Sequence, residues 1–136
     1  MKPKLISSNN GLVIKNLRKS LSEKTIVRDV SLHVQRGQTI GLLGPNGAGK
    51  TTTFYMIMGL IQPDSGEINL DDCNIVSLPM HERAKLGIGY LPQQPSIFRG
   101  LSVEDNIMSI LETKKYSMEQ MQNNLEELLT EFSLTH

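Results

Sequence analysis

The chain is poor in several residue types that would point to particular classes of protein. Its 136 residues include no tryptophan and one cysteine, and 14 basic side chains are balanced by 14 acidic ones. The lone Cys73 excludes an internal disulfide, which favours a reducing compartment. Because nucleic-acid phosphates are bound mainly by a surplus of lysine and arginine, the neutral charge balance predicts that nucleic acid is not a partner.

Long apolar runs are also missing. The longest, at residues 54–61, is interrupted by Gly59 and is far shorter than the roughly 20 residues that a membrane-spanning helix needs. The polar residues at 7–10 do not form the apolar core of a secretory signal. With 38% hydrophobic residues the chain can build one ordinary core, and we expect it to stay in the cytosol.

The chain does contain a glycine-rich loop of defined form. Residues 44–51 read GPNGAGKT, which fits the pattern GxxxxGK[ST]. A short apolar run at residues 39–43 predicts a buried parallel strand before the loop, and residues 51–60 can wind as a helix after it. Glycines let backbone N–H groups approach phosphate oxygens, where the positive end of the helix dipole adds attraction. The pattern therefore predicts a nucleotide-binding site.

Each side chain at the end of this loop has an expected role toward ATP. Lys50 would reach the β and γ phosphates, and the Thr51 hydroxyl would coordinate a Mg²⁺ ion. Thr52 would contact an inner phosphate. The predicted ATP-binding residues are Gly44, Pro45, Asn46, Gly47, Ala48, Gly49, Lys50, Thr51 and Thr52.

Short segments with alternating polarity surround the loop in the sequence. Apolar and polar residues alternate at 30–35 and again at 67–70, and this period of two predicts half-buried strands. A dense turn cluster at 63–66 and a second turn at Asp71 and Asp72 separate them. We expect a β lobe at about 1–38 and 66–75, beside a core and the start of a helical region at about 39–65 and 76–136.

The last third of the chain has the start signals of two helices. Ser102 precedes one, with an acidic residue three positions later, so that a helix is expected to begin near Val103. Ser117 and Gln120 repeat the device. The second helix has an apolar stripe that predicts a core-facing side, formed by Met118, Met121, Leu125, Leu128, Leu129 and Phe132.

Taken together, these residues resemble the ATP-binding subunits of ABC transporters. The sequence DVSL at 29–32, followed by the loop with its PNGAG filling, carries the first part of the resemblance. The sequence GYLPQ at 89–93 carries the second, since it is similar to the strand that enters the Q-loop. The resemblance implies an α/β P-loop NTPase of ABC type, with a parallel core sheet and an antiparallel β lobe. It also implies that Gln93 is a catalytic residue that contacts Mg²⁺ and the γ phosphate.

Residues 53–57, 78–84 and 87–103 are similar to the ATPases of bacterial lipopolysaccharide exporters. The branched-chain amino-acid importer ATPases are the alternative, because their segment after the Q-loop also runs through an Ile-Phe pair into a helix start. This resemblance implies that Phe98 and Arg99 contact transmembrane subunits at the inner face of the inner membrane, and that the full-length protein is a homodimer. Otherwise, Phe98 would anchor a local hydrophobic cluster.

Two departures from the family pattern are visible. The position of the aromatic residue that stacks on adenine falls on Leu21, which offers apolar contact without π-stacking. The sequence also contains no LSGG signature, no apolar strand ending in Asp-Glu and no switch histidine. Phosphoryl transfer to water needs a carboxylate that orients the water. We therefore expect an N-terminal portion that ends before the signature and Walker B regions and is inactive alone.

Two functions of other classes are compatible with a phosphate-binding loop. One is a stand-alone nucleotide-binding module that senses ATP without hydrolysing it. The other is a P-loop kinase, which would need an acceptor-binding lid and an acidic base. The capped amphipathic helices offer no such acidic cluster, so the sequence favours the ABC ATPase.

Overall fold

The computed structural model describes residues 10–134, which divide into two compact units that meet in sequence between Tyr90 and Leu91. The first unit contains β1 (Leu12–Leu21), β2 (Lys24–Val34), α1 (Lys50–Met58), β3 (Ser65–Leu70), β4 (Cys73–Asn74) and α2 (Met80–Lys85). The second unit contains α3 (Val103–Leu111) and α4 (Met118–Glu131). None of the helices in residues 10–134 has the length and apolar character needed to cross a membrane.

The strands of the first unit form one sheet in the order β2-β1-β3-β4, with antiparallel neighbours throughout. Ser22 and Glu23 connect β1 to β2, and Asp71 and Asp72 connect β3 to β4, all four with φ between 46° and 66°. Two successive residues with positive φ make the type of tight turn whose twist matches a hairpin. The sheet is formed by segments within residues 12–34 and 65–74, and residues 1–9 of the predicted β lobe are outside the described part of the chain.

The core of the first unit lies between this sheet and α1. Ile14, Leu17 and Ile68 come from the sheet and are almost completely buried, as is Met56 from α1. Burying each such side chain contributes about 1.5–3 kcal/mol relative to leaving it in water. Val30 and Leu32 of β2 pack against this core, and residues 30–35 show the predicted alternation of half-buried and exposed residues. Helix α1 is therefore held against the sheet by apolar packing along one of its sides.

The predicted strand at residues 39–43 is not formed, so that prediction is wrong, and residues 89–93 likewise form no strand. The apolar side chains at 39–43 are in contact with water, and Leu43 is 93% exposed. A parallel strand is stabilised by hydrogen bonds to neighbours that lie far away in the sequence. Within residues 10–134 every strand pair is antiparallel, and none of the pairs includes residues 39–43. The parallel core sheet of the family is therefore not assembled by this part of the chain.

The second unit is a pair of helices with the predicted starting points. Ser102 Oγ accepts a hydrogen bond from Asp105 N at 3.1 Å, and Ser117 and Gln120 form a complete capping box. The two helices pack around a small buried cluster formed by Leu111, Leu125 and Leu129. The predicted stripe on α4 is buried only in its middle, because the nine residues of α3 cannot cover all fourteen of α4. Met118 and Phe132, at the ends of the stripe, are 77% and 65% exposed.

Candidate functional site

The glycine-rich loop leads directly into α1 and crosses β2 at close range. Gly49 is the N-cap of α1 with φ of 90°, in the left-handed region that favours glycine. A Cβ at this position would lie 2.7 Å from the carbonyl oxygen of Ile26 and 3.1 Å from a methyl group of Val27. A side chain at residue 49 would therefore push the loop away from β2. Glycine is therefore required at position 49 for two reasons: its φ is positive, and a side chain would clash with β2.

Lys50 folds back over the start of the loop. Its ammonium donates hydrogen bonds to the carbonyl oxygens of Gly44 and Pro45, the latter at 3.1 Å. Within the loop, Ala48 N donates to Pro45 O at 3.2 Å and closes a turn. These bonds hold the only cationic side chain of the loop beside its backbone. The motif predicts that this ammonium contacts phosphate.

The first turn of α1 adds further attraction for an anion. An α-helix leaves the N–H groups of its first turn without partners in the helix, and the positive end of its dipole lies there. No acidic residue lies in the first turn of α1 to oppose an anion. Thr51 is exposed and Thr52 is half-buried, and each carries a hydroxyl oxygen. Hydroxyl oxygens of this kind suit Mg²⁺, which prefers oxygen ligands.

Thr53 is a residue of this region for which the motif predicts no role. Its side chain is 2% exposed, and its hydroxyl donates a hydrogen bond to Gly49 O at 2.9 Å. The backbone N–H of Thr53 donates to the same oxygen, also at 2.9 Å. The third threonine of the TTT run therefore joins the end of the loop to the first turn of the helix. In the sequence, the TTT run is the only sign of this hydrogen bond. It does not show which of the three hydroxyls points inward.

Two carboxylates tie together segments on either side of the loop in sequence. Asp71 accepts hydrogen bonds from Arg36 and from Gly11 N, the latter at 2.9 Å, and the Arg36 guanidinium lowers the pKa of Asp71. Asp64 accepts from Lys19 Nζ at 2.9 Å and from Ser20 N, and these bonds lower the pKa of Asp64. Asp64 joins a bend to β1, and Asp71 joins the turn between β3 and β4 to residues just outside β1 and β2, so both support the scaffold around the loop.

Three other residues with predicted roles are all at the surface. Leu21, the predicted adenine contact, ends β1 and is 44% exposed. Gln93 lies in a bend of the second unit and is exposed. The ring of Phe98 is 62% exposed and does not belong to either buried cluster. No group of three or more His, Cys, Asp or Glu residues within residues 10–134 is arranged to hold a metal ion.

Comparison with known proteins agrees with these observations. Residues 27–136 match the family described as ABC transporter. The chain is 52% identical over 126 residues to the "Lipopolysaccharide export system ATP-binding protein LptB" of Escherichia coli, an alignment that covers 92% of this chain and 52% of that protein. It is 53% identical over 130 residues to a "Probable ABC transporter ATP-binding protein" of Azorhizobium caulinodans, with 96% of this chain and 46% of that protein covered.

Solved structures show the same relationship. A structure described as "ATP binding subunit of ABC transporter" superposes with a TM-score of 0.76 at 29% identity, covering 90% of this chain and 50% of that one. The structure of cbiO1 from Clostridium perfringens, described as part of the ABC transporter complex cbiONQ, shares the fold with a TM-score of 0.77 at 24% identity, again over 90% and 50% of the two chains. The chain spans about half the length of the curated relatives it matches. The loop, α1 and the antiparallel sheet are therefore elements of the ATP-binding domain of the ABC transporter family, to which this chain belongs.

Proposed function

We propose that the full-length protein is an ATP hydrolase that powers an ABC transporter, and that this chain supplies its phosphate-binding loop. The observation that carries the proposal is the placement of the Lys50 ammonium beside the loop that caps α1. A cation, unpaired amides and a helix dipole all favour a polyphosphate there. The proposed ATP-binding residues are Gly44, Pro45, Asn46, Gly47, Ala48, Gly49, Lys50, Thr51 and Thr52.

In this proposal the loop residues position the phosphates, and the reaction needs further groups. Lys50 would bind the β and γ phosphates, and the loop amides would hold them in register with α1. Thr51 and Gln93 supply an exposed hydroxyl and an exposed amide oxygen, both of the hard type that Mg²⁺ accepts. Bound Mg²⁺ would neutralise charge on the transferred phosphoryl group. Gln93 is proposed as the catalytic residue that this chain contributes.

Lipopolysaccharide is the cargo that we propose for the transporter. Support comes from relatives such as LptB of Escherichia coli, at 52% identity, and from the residues of this chain that resemble exporter ATPases. The relative from Azorhizobium, at 53% identity, has a name that specifies no cargo, so identity alone does not choose. A branched-chain amino-acid importer ATPase is the alternative. The two differ in their transmembrane subunits, and reconstitution of the full-length protein with each set distinguishes them.

The proposed partners are transmembrane subunits that contact Phe98 and Arg99, and a second copy of the full-length protein. An exposed aromatic ring beside an arginine is a composition favoured at protein interfaces. Such an assembly would place the protein in the cytoplasm, on the inner face of the inner membrane. We propose the division into a β lobe at 1–38 and 66–75 and a core at 39–65 and 76–136 as part of the same assignment.

The experiment that tests the proposal is titration of the full-length protein with ATP, with and without Mg²⁺, followed by measurement of phosphate release. We expect binding that depends on Lys50, and hydrolysis that depends on Mg²⁺. Binding without any hydrolysis, even with the transmembrane subunits present, would favour the stand-alone nucleotide-binding module. Transfer of the phosphoryl group to an acceptor other than water would favour the kinase. Absence of ATP binding would overturn the proposal.

A further inference from the structure

Arg83 is a charged side chain that the first unit buries completely. It lies in α2 and is 0% exposed. Its guanidinium donates to four backbone carbonyl oxygens: Nε donates to Leu78 at 2.8 Å, Nη2 to Val76 at 2.8 Å, and Nη1 to Met56 at 2.6 Å and Ile57 at 2.7 Å. Four of the five N–H groups of an arginine are thereby used. Such complete pairing compensates for the cost of removing the charge from water.

The charge on Arg83 is balanced by a helix end. None of the salt bridges found in residues 10–134 includes this side chain. Burial lowers the pKa of Arg83, but an arginine side chain remains protonated in proteins. The carbonyls of Met56 and Ile57 belong to the last turn of α1, where the negative end of the helix dipole lies and carbonyls lack the usual partner four residues later. Met56 O also accepts from Gly59 N at 3.3 Å. Arg83 therefore binds the end of α1 that lies opposite the phosphate loop.

Gly59 leaves the space that this guanidinium occupies. It ends α1 with φ of 86°, and a Cβ at this position would lie 3.0 Å from Nε and 3.1 Å from Cζ of Arg83. It would also lie 3.3 Å from the backbone nitrogen of Met80, at the start of α2. Any other residue at 59 would be strained and would press on the guanidinium. The contact between Arg83 and α1 thus depends on two residues that are 24 positions apart in the sequence.

We propose that Arg83 is a positioning residue for the phosphate loop, because its hydrogen bonds hold the C-terminal end of α1 in place. The inference rests on the proposed function, since it concerns how tightly that loop binds ATP. Helix α1 has nine residues and a length of about 13 Å, so a tilt of about 5° about one end moves the other by about 1 Å. A displacement of that size at a binding or catalytic site is large enough to matter. Lys50 and Thr51 are at the end that would move.

The first test compares Arg83→Lys with Lys85→Gln in the full-length protein. Lysine keeps the charge but cannot reach four carbonyls in the same fork geometry. Lys85 is on the same helix, is exposed, and pairs with Glu82, so its replacement removes a cation without touching α1. Well below the thermal midpoint, we expect Arg83→Lys to raise the Kd for MgATP about tenfold, which corresponds to about 1.4 kcal/mol. Lys85→Gln should leave the Kd unchanged.

Amide hydrogen exchange separates positioning from general stability. In folded Arg83→Lys, exchange should become faster at the loop amides of residues 47–52, as well as next to the substitution. Faster exchange confined to α2 and the end of α1, with a wild-type Kd for MgATP, would overturn the inference and leave Arg83 a structural residue only. If the wild-type protein does not bind MgATP at all, the proposed function itself is contradicted, which is a different result.

The coupling can also be tested on the wild-type protein, so the test does not depend on whether Arg83→Lys folds. Coupling between two sites is reciprocal, so MgATP bound at the loop must strengthen the hold at the far end of α1. We expect MgATP to slow exchange of the Gly59 and Leu60 amides, which donate to Met56 O and Tyr55 O. Unchanged exchange at these two amides, with the loop amides protected, would show that the two ends of α1 are not coupled.

Discussion

The side-chain amide of Asn106 binds both polar groups of the Phe98 backbone. Asn106 Oδ1 accepts from Phe98 N at 2.8 Å, and Asn106 Nδ2 donates to Phe98 O at 3.0 Å. The same Nδ2 donates to Ser102 O at 2.9 Å, so one side chain joins the segment before α3 to the helix. The backbone at Phe98 is therefore fixed while its ring remains in solvent. The proposed contact with transmembrane subunits would use this ring.

Replacement of Phe98 by alanine should affect assembly more than stability. Because the ring is 62% exposed, we expect Phe98→Ala to change the free energy of unfolding by about 0.5 kcal/mol or less. Co-purification of the full-length protein with its transmembrane subunits should be weakened or lost. Phe132→Ala, which removes a similarly exposed ring from the same unit, is the control and should assemble normally. Normal assembly of Phe98→Ala would contradict the proposed contact.

Replacement of Asn106 by alanine should destabilise the segment that carries Phe98. The variant loses the hydrogen bonds to Phe98 and Ser102, at a cost of about 1–2 kcal/mol. Urea unfolding of the full-length protein measures this cost. Asn123→Ala is the matched control, since it makes the same change on an exposed position of α4 and should be neutral or slightly stabilising. Equal stability of the two variants would show that the Asn106 bonds contribute nothing.

Replacement of Lys50 by alanine should remove ATP hydrolysis and strongly weaken ATP binding by the full-length protein. The ammonium is the main side-chain charge that the loop can offer to phosphates, while its backbone partners, Gly44 and Pro45, keep their own conformation. The thermal midpoint should stay near that of the wild type. Lys115→Ala makes the same change at an exposed position in the connection between α3 and α4, outside the motif, and is the control. Turnover of Lys50→Ala at the wild-type rate would rule out the assignment of the loop.

Acid should weaken the contact between Asp71 and Arg36. The pKa of Asp71 is lowered in the folded state, so its contribution is present above the unfolded pKa of about 3.9 and is lost as pH falls through the folded value. In Asp71→Asn the stability should therefore depend less steeply on pH below about 4. Urea unfolding of both proteins between about pH 2 and 6 tests this expectation. The same pH dependence in both would mean that this carboxylate does not contribute.

A polypeptide of residues 1–136 alone should show no ATPase activity above background. It has no Asp-Glu strand and no signature sequence, and both are expected to be needed for the reaction. It should also associate, because Ile40, Leu42 and Leu43 expose apolar surface beside the loop. Phosphate release and light scattering test the two expectations. A monomer that hydrolyses ATP as fast as an intact transporter ATPase would contradict both.

Features that depend on near neighbours in the chain could be predicted from the sequence. The capping hydrogen bonds of Ser102 and Ser117 each reach three residues along the chain, and the turn at Asp71 and Asp72 joins adjacent strands. Their geometry is set by the backbone of a single turn, so residue type and spacing suffice. The loop before α1 is of the same kind. Its motif is one continuous stretch of eight residues, 44–51, and Thr52 directly follows it.

Features that depend on distant residues were decided by the tertiary structure. Residues 39–43 have the composition of a buried strand, yet a strand needs partners from elsewhere, and residues 10–134 provide none for this segment. An arginine in a helix is usually exposed, but Arg83 is buried because its guanidinium binds the carbonyls of Met56 and Ile57 at the end of α1, 27 and 26 positions earlier. Gly49 is required because β2 passes close to it. The sequence by itself thus determined the loop and the helix caps, whereas packing between distant segments decided which polar groups were buried and which apolar ones were not.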